Sequence, residues 1–449
     1  MPLKKIEIYD TTLRDGAQSG EVNFSLEDKR DIVLKLDQLG VDFIEAGWPG
    51  ANPKDDRLFE MTGGLRLKRA RIFAFGSTCK PGTSPEKDRM IQCLVNAQPG
   101  GVTIFGKSWD VHVQGQGGLG CSLDENLRII SETVRYLRNH FPLVFFDAEH
   151  FFDGFKRNRE YALAVLRSAA EGGAHRLVLC DTNGGSLPSE VADIVGFLKE
   201  NVSSSLGIHC HNDSDLAVAN TIMAVRCGAT HVQGTINGLG ERCGNANLCS
   251  IIPNISLKLG LETIPRESMH LLNDISHFVN DIGNLSHNSH QPYVGKSAFA
   301  HKGGVHVSAV IGDPATYEHI DPALVGNQRR VLVSEQSGKS NILYKAREFN
   351  LDLAKDDTTA AEIVKIIKDL ENCGFQFEGA DASLELLMNK AMGMHVRFFK
   401  LRGFRVNTER RSDDTDPMSE ATIMIEVDGN IEHTAAMGNG PVNALDEAL

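Results

Sequence analysis

The chain has 449 residues, with 46 basic against 59 acidic side chains and a formal net charge of −13. Hydrophobic residues at 41% and charged residues at 23% match an ordinary folded protein and exclude a mainly disordered one. The acidic balance, with no basic stripe, argues against nucleic-acid binding, and no apolar run approaches the ~18 residues needed to cross a bilayer. At about 150 residues per domain the length predicts two or three domains. The first residues run straight into Ile6-Glu7-Ile8, without the apolar core of a signal peptide. Nine scattered cysteines, an odd count with no Cys-x-x-Cys pair, suit a reduced cytoplasm better than a disulfide frame.

The first 260 residues alternate β-rich runs with segments of helical spacing. The runs are Lys5–Asp10, Val41–Gly47, Arg71–Ser77, Gly101–Lys107, Leu143–His150, Arg176–Thr182, Leu206–Asn212 and His231–Asn237. The spacing predicts helices over Ser25–Leu39, Pro53–Met61, Pro85–Ala97, Leu123–Asn139, Asn158–Glu171, Pro188–Asn201, Leu216–Cys227 and Asn245–Leu259. Capping residues or early prolines open several of them, and Gly40 and Gly228 stand where a helix should stop. Such alternation means parallel strands joined by crossover helices, and eight units in about 250 residues is the size of a (β/α)8 TIM barrel. An open doubly wound sheet is the competing arrangement.

After Ile264 the strand rhythm stops. Residues 265–350 hold helical stretches and polar turns, and two helices follow at Thr358–Cys373 and Ala382–Met392. Two β-rich runs, Met394–Thr408 and Glu420–Val427, flank a charged turn of residues 410–414, and residues 440–449 begin a helix. The expected domains are therefore a barrel over 1–264, helical linker subdomains over 265–390 and an incomplete α/β regulatory-type domain over 391–449. Two strands and part of a helix bury little core, which is why the last domain reads as truncated.

In a barrel the chemistry sits where the strands end. Those ends carry Asp10, Arg14 and Asp15, then Glu45, Lys107, Glu149, Asp181 and Thr182, then His209 and His211, and last Asn237, Glu241, Arg242 and Asn245. His209 and His211, two apart on one strand, point the same way. With a carboxylate, Asp15 being the natural one, they form an N2O set suited to a divalent cation with open positions; a hydrogen-bonded histidine pair is the alternative. Arg14 beside Asp15 would face a developing oxyanion, or be a plain ion pair. Glu149 and Glu241 could orient water or ligands, or be structural. The stretch Gly115–Gly120 fits G-x-G-x-x-G, yet it lies ~10 residues past a strand and reads as a loop instead of a dinucleotide fingerprint. His277, His287 and His290 read as exposed loop residues.

Three motifs carry a family resemblance. Residues Asp10–Gly16, Leu206–Asp213 and Asn237–Ala246 resemble the first-strand, metal and eighth-strand motifs of the metal-dependent acyl-CoA condensing enzymes and lyases. That family includes the isopropylmalate, homocitrate and citramalate synthases and hydroxymethylglutaryl-CoA lyase. Cys243 stands in a Glu-Arg-Cys-Gly-Asn context, which favours the synthases over the lyases. Gly47–Gly50, Ile104–Asp110, Phe146–Gly154 and Cys180–Gly185 are most similar to the branch that forms (R)-citramalate.

The resemblance implies condensation of acetyl-CoA with pyruvate and thioester hydrolysis, toward isoleucine, with isopropylmalate or homocitrate synthesis as the chemical rival and a lyase as a rival of another class. It implies one divalent metal (Mn, Mg, Zn or Co) held by Asp15, His209 and His211, with Asn245 as a further or water-mediated contact. It places Arg14 at the oxyanion, Thr182 on the substrate carboxylate and Glu149 at substrate or water. It makes His306 the base, accompanied by Tyr317, with His301 as the fallback. It also implies a homodimer, because the segment carrying His306 reaches over a partner barrel, and a feedback role for the last domain. Phe75 and Phe105, with Trp109 behind them, are the candidates for walls that limit the keto acid.

Overall fold

The computed structural model describes residues 4–115, 117–353, 357–410, 412–413 and 416–449. Gln116 of the glycine-rich loop, and Arg411 and Asp414 of the charged turn, lie outside the described residues. Contacts divide the chain into two compact units, Met1–Ala300 with Pro314–Arg330, and His301–Asp313 with Val331–Leu449.

The first unit is built on a closed barrel of eight parallel strands in sequential order. They are β1 (Glu7–Asp10), β2 (Phe43–Gly47), β3 (Arg71–Ser77), β4 (Gly101–Lys107), β5 (Val144–Glu149), β6 (Arg176–Asp181), β7 (Leu206–Cys210) and β8 (His231–Gly234). Local chemistry sets the helix starts. Ser25 closes a capping box with Asp28 ahead of helix Leu26–Leu39, and Gly40 ends that helix in the left-handed region at φ 91°. Asn52 caps Pro53–Thr62, its side chain accepting the Asp55 N–H. The helix expected from Pro85 begins only at Arg89, because the Asp88 carboxylate accepts the Met90 and Ile91 N–H groups and fixes the boundary there. The helix expected from Asn245 begins at Leu248, since residues 245 and 247 are drawn into bridges with His211 and Thr235.

Two faces of each strand divide the packing. Outward residues such as Ile8, Ile44, Ala74, Val102 and Phe146 join one continuous core with the surrounding helices. Inward, Tyr9, Phe43, Phe73 and Phe145 form a separate apolar layer, with Phe73 stacked on Phe145 at 4.7 Å between centroids. Tyr9 ends that layer on its polar side. Its hydroxyl donates to Glu45 Oε1 and meets Thr103 Oγ1, both at 2.7 Å. An apolar layer thus lies directly beneath the polar mouth.

In the second unit, helices Lys339–Glu348, Asp357–Asn372 and Asp381–Ala391 share one small core. The expected pair of late strands is in fact three, Lys400–Glu409, Met418–Val427 and Asn430–Gly438, in antiparallel order. The third follows a two-residue turn in which Asp428 and Gly429 both have positive φ. Helix Pro441–Ala448 packs Ala444 and Ala448 with Ala421, Ile423 and Ile425. His277 lies on helix Leu272–Ile282, half-buried, its ring 4.3 Å from that of His287, so it is no loop residue.

At the opposite end of the barrel from the mouth, Glu7 accepts two bonds from Arg176, at 2.8 and 2.7 Å, and lies 3.3 Å from His231. Burial alone would raise the Glu7 carboxyl, but His231 and Arg176 outweigh it and hold it down at about 2. A depressed carboxyl stabilises the fold above its unfolded value, and this is lost as pH falls through the folded one. The stability gap between the wild type and Glu7→Gln in urea denaturation should therefore narrow from about pH 4.5 to about pH 2; a gap that stays constant would show that Glu7 does not carry this charge.

Candidate metal centre

The turn after β1 puts Asp15 back across the barrel mouth toward the end of β7. Its Oδ2 is 3.3 Å from His209 Nε2 and 3.9 Å from His211 Nε2, and the two Nε2 atoms are 3.3 Å apart. The ligand atoms of all three residues lie within 4.8 Å of one another, and all three are buried. Three ligand-type side chains with their donor atoms gathered at one point fit a divalent cation.

Two further observations support that fit. Asn245 is 2% exposed, and its Oδ1 has no hydrogen-bond partner among the described residues. Its backbone is bridged to His211, so this free acceptor lies next to the donor set. The loop that delivers it is tight enough to need glycine: Gly244 has φ +89°, and a Cβ there would stand 2.0 Å from the Gly238 carbonyl. The second observation is the tautomer of His209. Its Nδ1 lies 2.9 Å from Gln233 Oε1, which can only accept, so Nδ1 carries a proton and Nε2 is the nitrogen whose lone pair would be turned on a bound cation.

Electrostatics divides the groups. Burial would raise the Asp15 carboxyl, but Arg14, His209 and His211 hold it far below the usual range. Burial and the neighbouring His209 push the His211 imidazole down to about 4, so it is neutral at pH 7. Asp147, buried deeper in the barrel near Glu45, is pushed up to about 7.

Arg14 is fixed on three sides. Nε donates to Glu45 Oε2 at 2.6 Å, Nη1 lies 3.4 Å from Asp15, and the guanidinium sits 3.7 Å over the Phe75 ring. Thr11 also donates to Glu45 Oε2, at 2.5 Å. Phe75 is stacked on Phe105, and Trp48 meets both rings edge-on at 5.4 and 5.8 Å. Phe75 follows the inward Phe73 by two residues, which settles its direction. Thr182 Oγ1 accepts the His150 N–H at 2.9 Å, leaving its own hydrogen to donate. Glu149 is ion-paired with Lys107, its partner in the β4–β5 register.

Not every polar strand end joins the mouth. Asp181 holds the turn at Ser186, Asn237 bonds Ser276 and Asn280, and Arg242 grips Asp213 at 2.7 and 2.9 Å. Asp10 binds the backbone and hydroxyl of Thr12, and Glu241 is exposed. His301 and His306 belong to the second unit, where His301 is buried and His306 lies exposed in the first turn of helix Gly304–Gly312. Tyr317, 47% exposed, belongs to the first. Gln233 and Asp147 do not stand out in the sequence; the signal they offer is a polar residue at an inward position of its strand, two before Glu149 in β5 and two after His231 in β8.

The HMGL-like family matches residues 5–279, the homocitrate synthase post-HMGL domain-like family residues 293–374, and the LeuA allosteric (dimerisation) domain residues 378–449. An (R)-citramalate synthase of Geobacter sulfurreducens is 54% identical over 99% of this chain and 84% of its own length. The chain belongs to the HMGL-like family, in its (R)-citramalate synthase branch. An (R)-citramalate synthase of Aquifex aeolicus is 51% identical, again over 99% of this chain and 84% of its own. Among solved structures, a Bacillus subtilis HMG-CoA lyase superposes with a TM-score of 0.53 at 20% identity, covering 64% of this chain and 96% of that one. This likeness shows the barrel fold alone.

His209→Ala should abolish binding of a divalent ion by the metal-free protein, measured by Mn2+ titration, in a variant that still melts cooperatively, though at a lower midpoint because buried Asp15 and Gln233 lose a partner. Unchanged Mn2+ binding would remove His209 from the centre.

Proposed function

We propose that this chain joins acetyl-CoA to pyruvate and releases (R)-citramalate and CoA. The observation that carries this reading is the convergence of Asp15, His209 and His211 beside a pinned Arg14. Asp15, His209 and His211, with Asn245 beside them, would hold a divalent ion, which when bound supplies Lewis acidity to the keto group.

The acetyl methyl group must lose a proton, and His306 is the base we assign, on the strength of its place after Gly304-Val305. Tyr317 is its proposed companion. As the carbon–carbon bond forms, an electron pair moves onto the keto oxygen. Arg14 faces that charge, and because Glu45 and Phe75 hold its guanidinium already, little reorganisation is needed when the charge develops. Thr182 can donate its hydroxyl to the pyruvate carboxylate. Glu149, held near Lys107, is placed to orient water or substrate. Water then cleaves the thioester and drives the reaction forward.

A homodimer in the cytoplasm completes the reading. It is supported by the matched dimerisation domain and by nine free thiols. Among the described residues no helix is long and apolar enough to cross a membrane.

Thiol release from acetyl-CoA, assayed with pyruvate, 2-oxoisovalerate and 2-oxoglutarate side by side, tests the whole proposal. Pyruvate should give the highest kcat/KM; preference for 2-oxoisovalerate would favour an isopropylmalate synthase, and no release with any acid would end the condensing reading. His306→Asn should lower the rate by ~10²-fold or more, and His301→Asn much less; the reverse order would move the role to His301. Phe75→Ala or Phe105→Ala should raise the ratio of kcat/KM for 2-oxoisovalerate over pyruvate by about 10-fold, since the lost ring makes room for the larger side chain. A ratio unmoved in both variants would clear these rings of any part in selectivity.

A further inference from the structure

The inner face of the barrel holds a chain of hydrogen bonds that starts at the metal centre and runs away from it. His209 Nδ1 donates to Gln233 Oε1 at 2.9 Å, and Gln233 Nε2 donates to Asp147 Oδ1 at 3.1 Å. His209, Gln233 and Asp147 come from β7, β8 and β5, and all three are buried. None of these contacts is local in sequence, so the barrel closure itself assembles them.

The chain has a direction. An amide can accept on one side and donate on the other. If Gln233 were turned over, its NH2 would meet the Nδ1–H of His209 and its oxygen would meet the Asp147 carboxyl. The first contact is unfavourable outright, and the second whenever Asp147 is ionised, in a site with little water to compensate. Asp147 therefore decides which way the amide lies, and the amide decides which nitrogen of His209 carries the proton. A partner on the remote nitrogen of a ligating histidine fixes ring orientation as well as tautomer, and its loss typically costs 10–100-fold in metal affinity.

We infer that Gln233 and Asp147 are positioning residues, acting in series through His209 to hold its Nε2 lone pair on the Asp15–His211 cluster. The inference rests on the reading of that cluster as a divalent-metal centre, and it assigns neither residue to the substrate.

The test is Mn2+ affinity of the metal-free full chain, with the thermal midpoint recorded for each variant. Gln233→Met should weaken Mn2+ about 10-fold or more. Asp147→Leu should do the same, while Asp147→Asn, which keeps an acceptor for the amide, should stay close to wild type. Residues acting in series are not additive, so Asp147→Leu should add little in the Gln233→Met background. Unchanged affinity in a cooperatively melting Gln233→Met overturns the inference. So does an Asp147→Leu effect of equal size in both backgrounds, or an Asp147→Asn as damaging as Asp147→Leu. If Gln233→Met does not melt cooperatively, the contrast of Leu against Asn at position 147 decides alone. His209→Ala is the control: if it binds Mn2+ like wild type, the metal reading itself fails, and that failure is distinguishable from failure of the relay.

Discussion

One buried carboxylate organises the barrel mouth. Asp15 is 3% exposed, yet its surroundings keep it ionised, because Arg14, His209 and His211 all turn toward it. An isolated charge in such a place would be costly, and only paired, hydrogen-bonded neighbours make it tolerable. The arrangement fixes each neighbour in turn. Arg14 is drawn between Asp15 and Glu45, and Glu45 is anchored by Tyr9 and Thr11. On the other side His209 is tied to Gln233, and Gln233 to Asp147. The Asp15–His209–His211 cluster and the pinned Arg14 guanidinium thus share one anion as their common support.

The scaffold makes this possible by keeping the polar groups in one layer. Beneath the mouth, Tyr9, Phe43, Phe73 and Phe145 fill the barrel and keep water from the carboxyl groups above. That exclusion is why burial matters for Asp147 and His211, and why each hydrogen bond in the mouth has a strong geometric preference. Tyr9 belongs to both layers, apolar in its ring and polar at its hydroxyl, and joins the packing of the base to the chemistry above it.

The (β/α)8 barrel was legible because its signals are local and repeated: apolar strands, capped helices and terminal glycines in regular alternation. The Asp15 and His209–His211 set was legible too, since strand periodicity alone sends both imidazoles the same way. Other features depend on partners remote in sequence. Nothing near Gln233 or Asp147 says that each will meet the other across the barrel. Asp181 and Asn237 sit at strand ends like true site residues, but the Ser186 turn and helix Leu272–Ile282 engage them first. The strand Asn430–Gly438 differs, because its Asp428-Gly429 turn is a local hairpin signal present in the sequence itself. Phe75 and Phe105 needed only the inward Phe73 and Thr103 as reference points to be assigned to the mouth.

The most direct test of the account is anomalous scattering from a crystal grown with Mn2+ and pyruvate. The account predicts a single strong peak enclosed by Asp15 Oδ2, His209 Nε2 and His211 Nε2, with pyruvate density reaching it beside Arg14. A fully loaded crystal with its peak elsewhere, or with pyruvate bound away from Arg14, would contradict it.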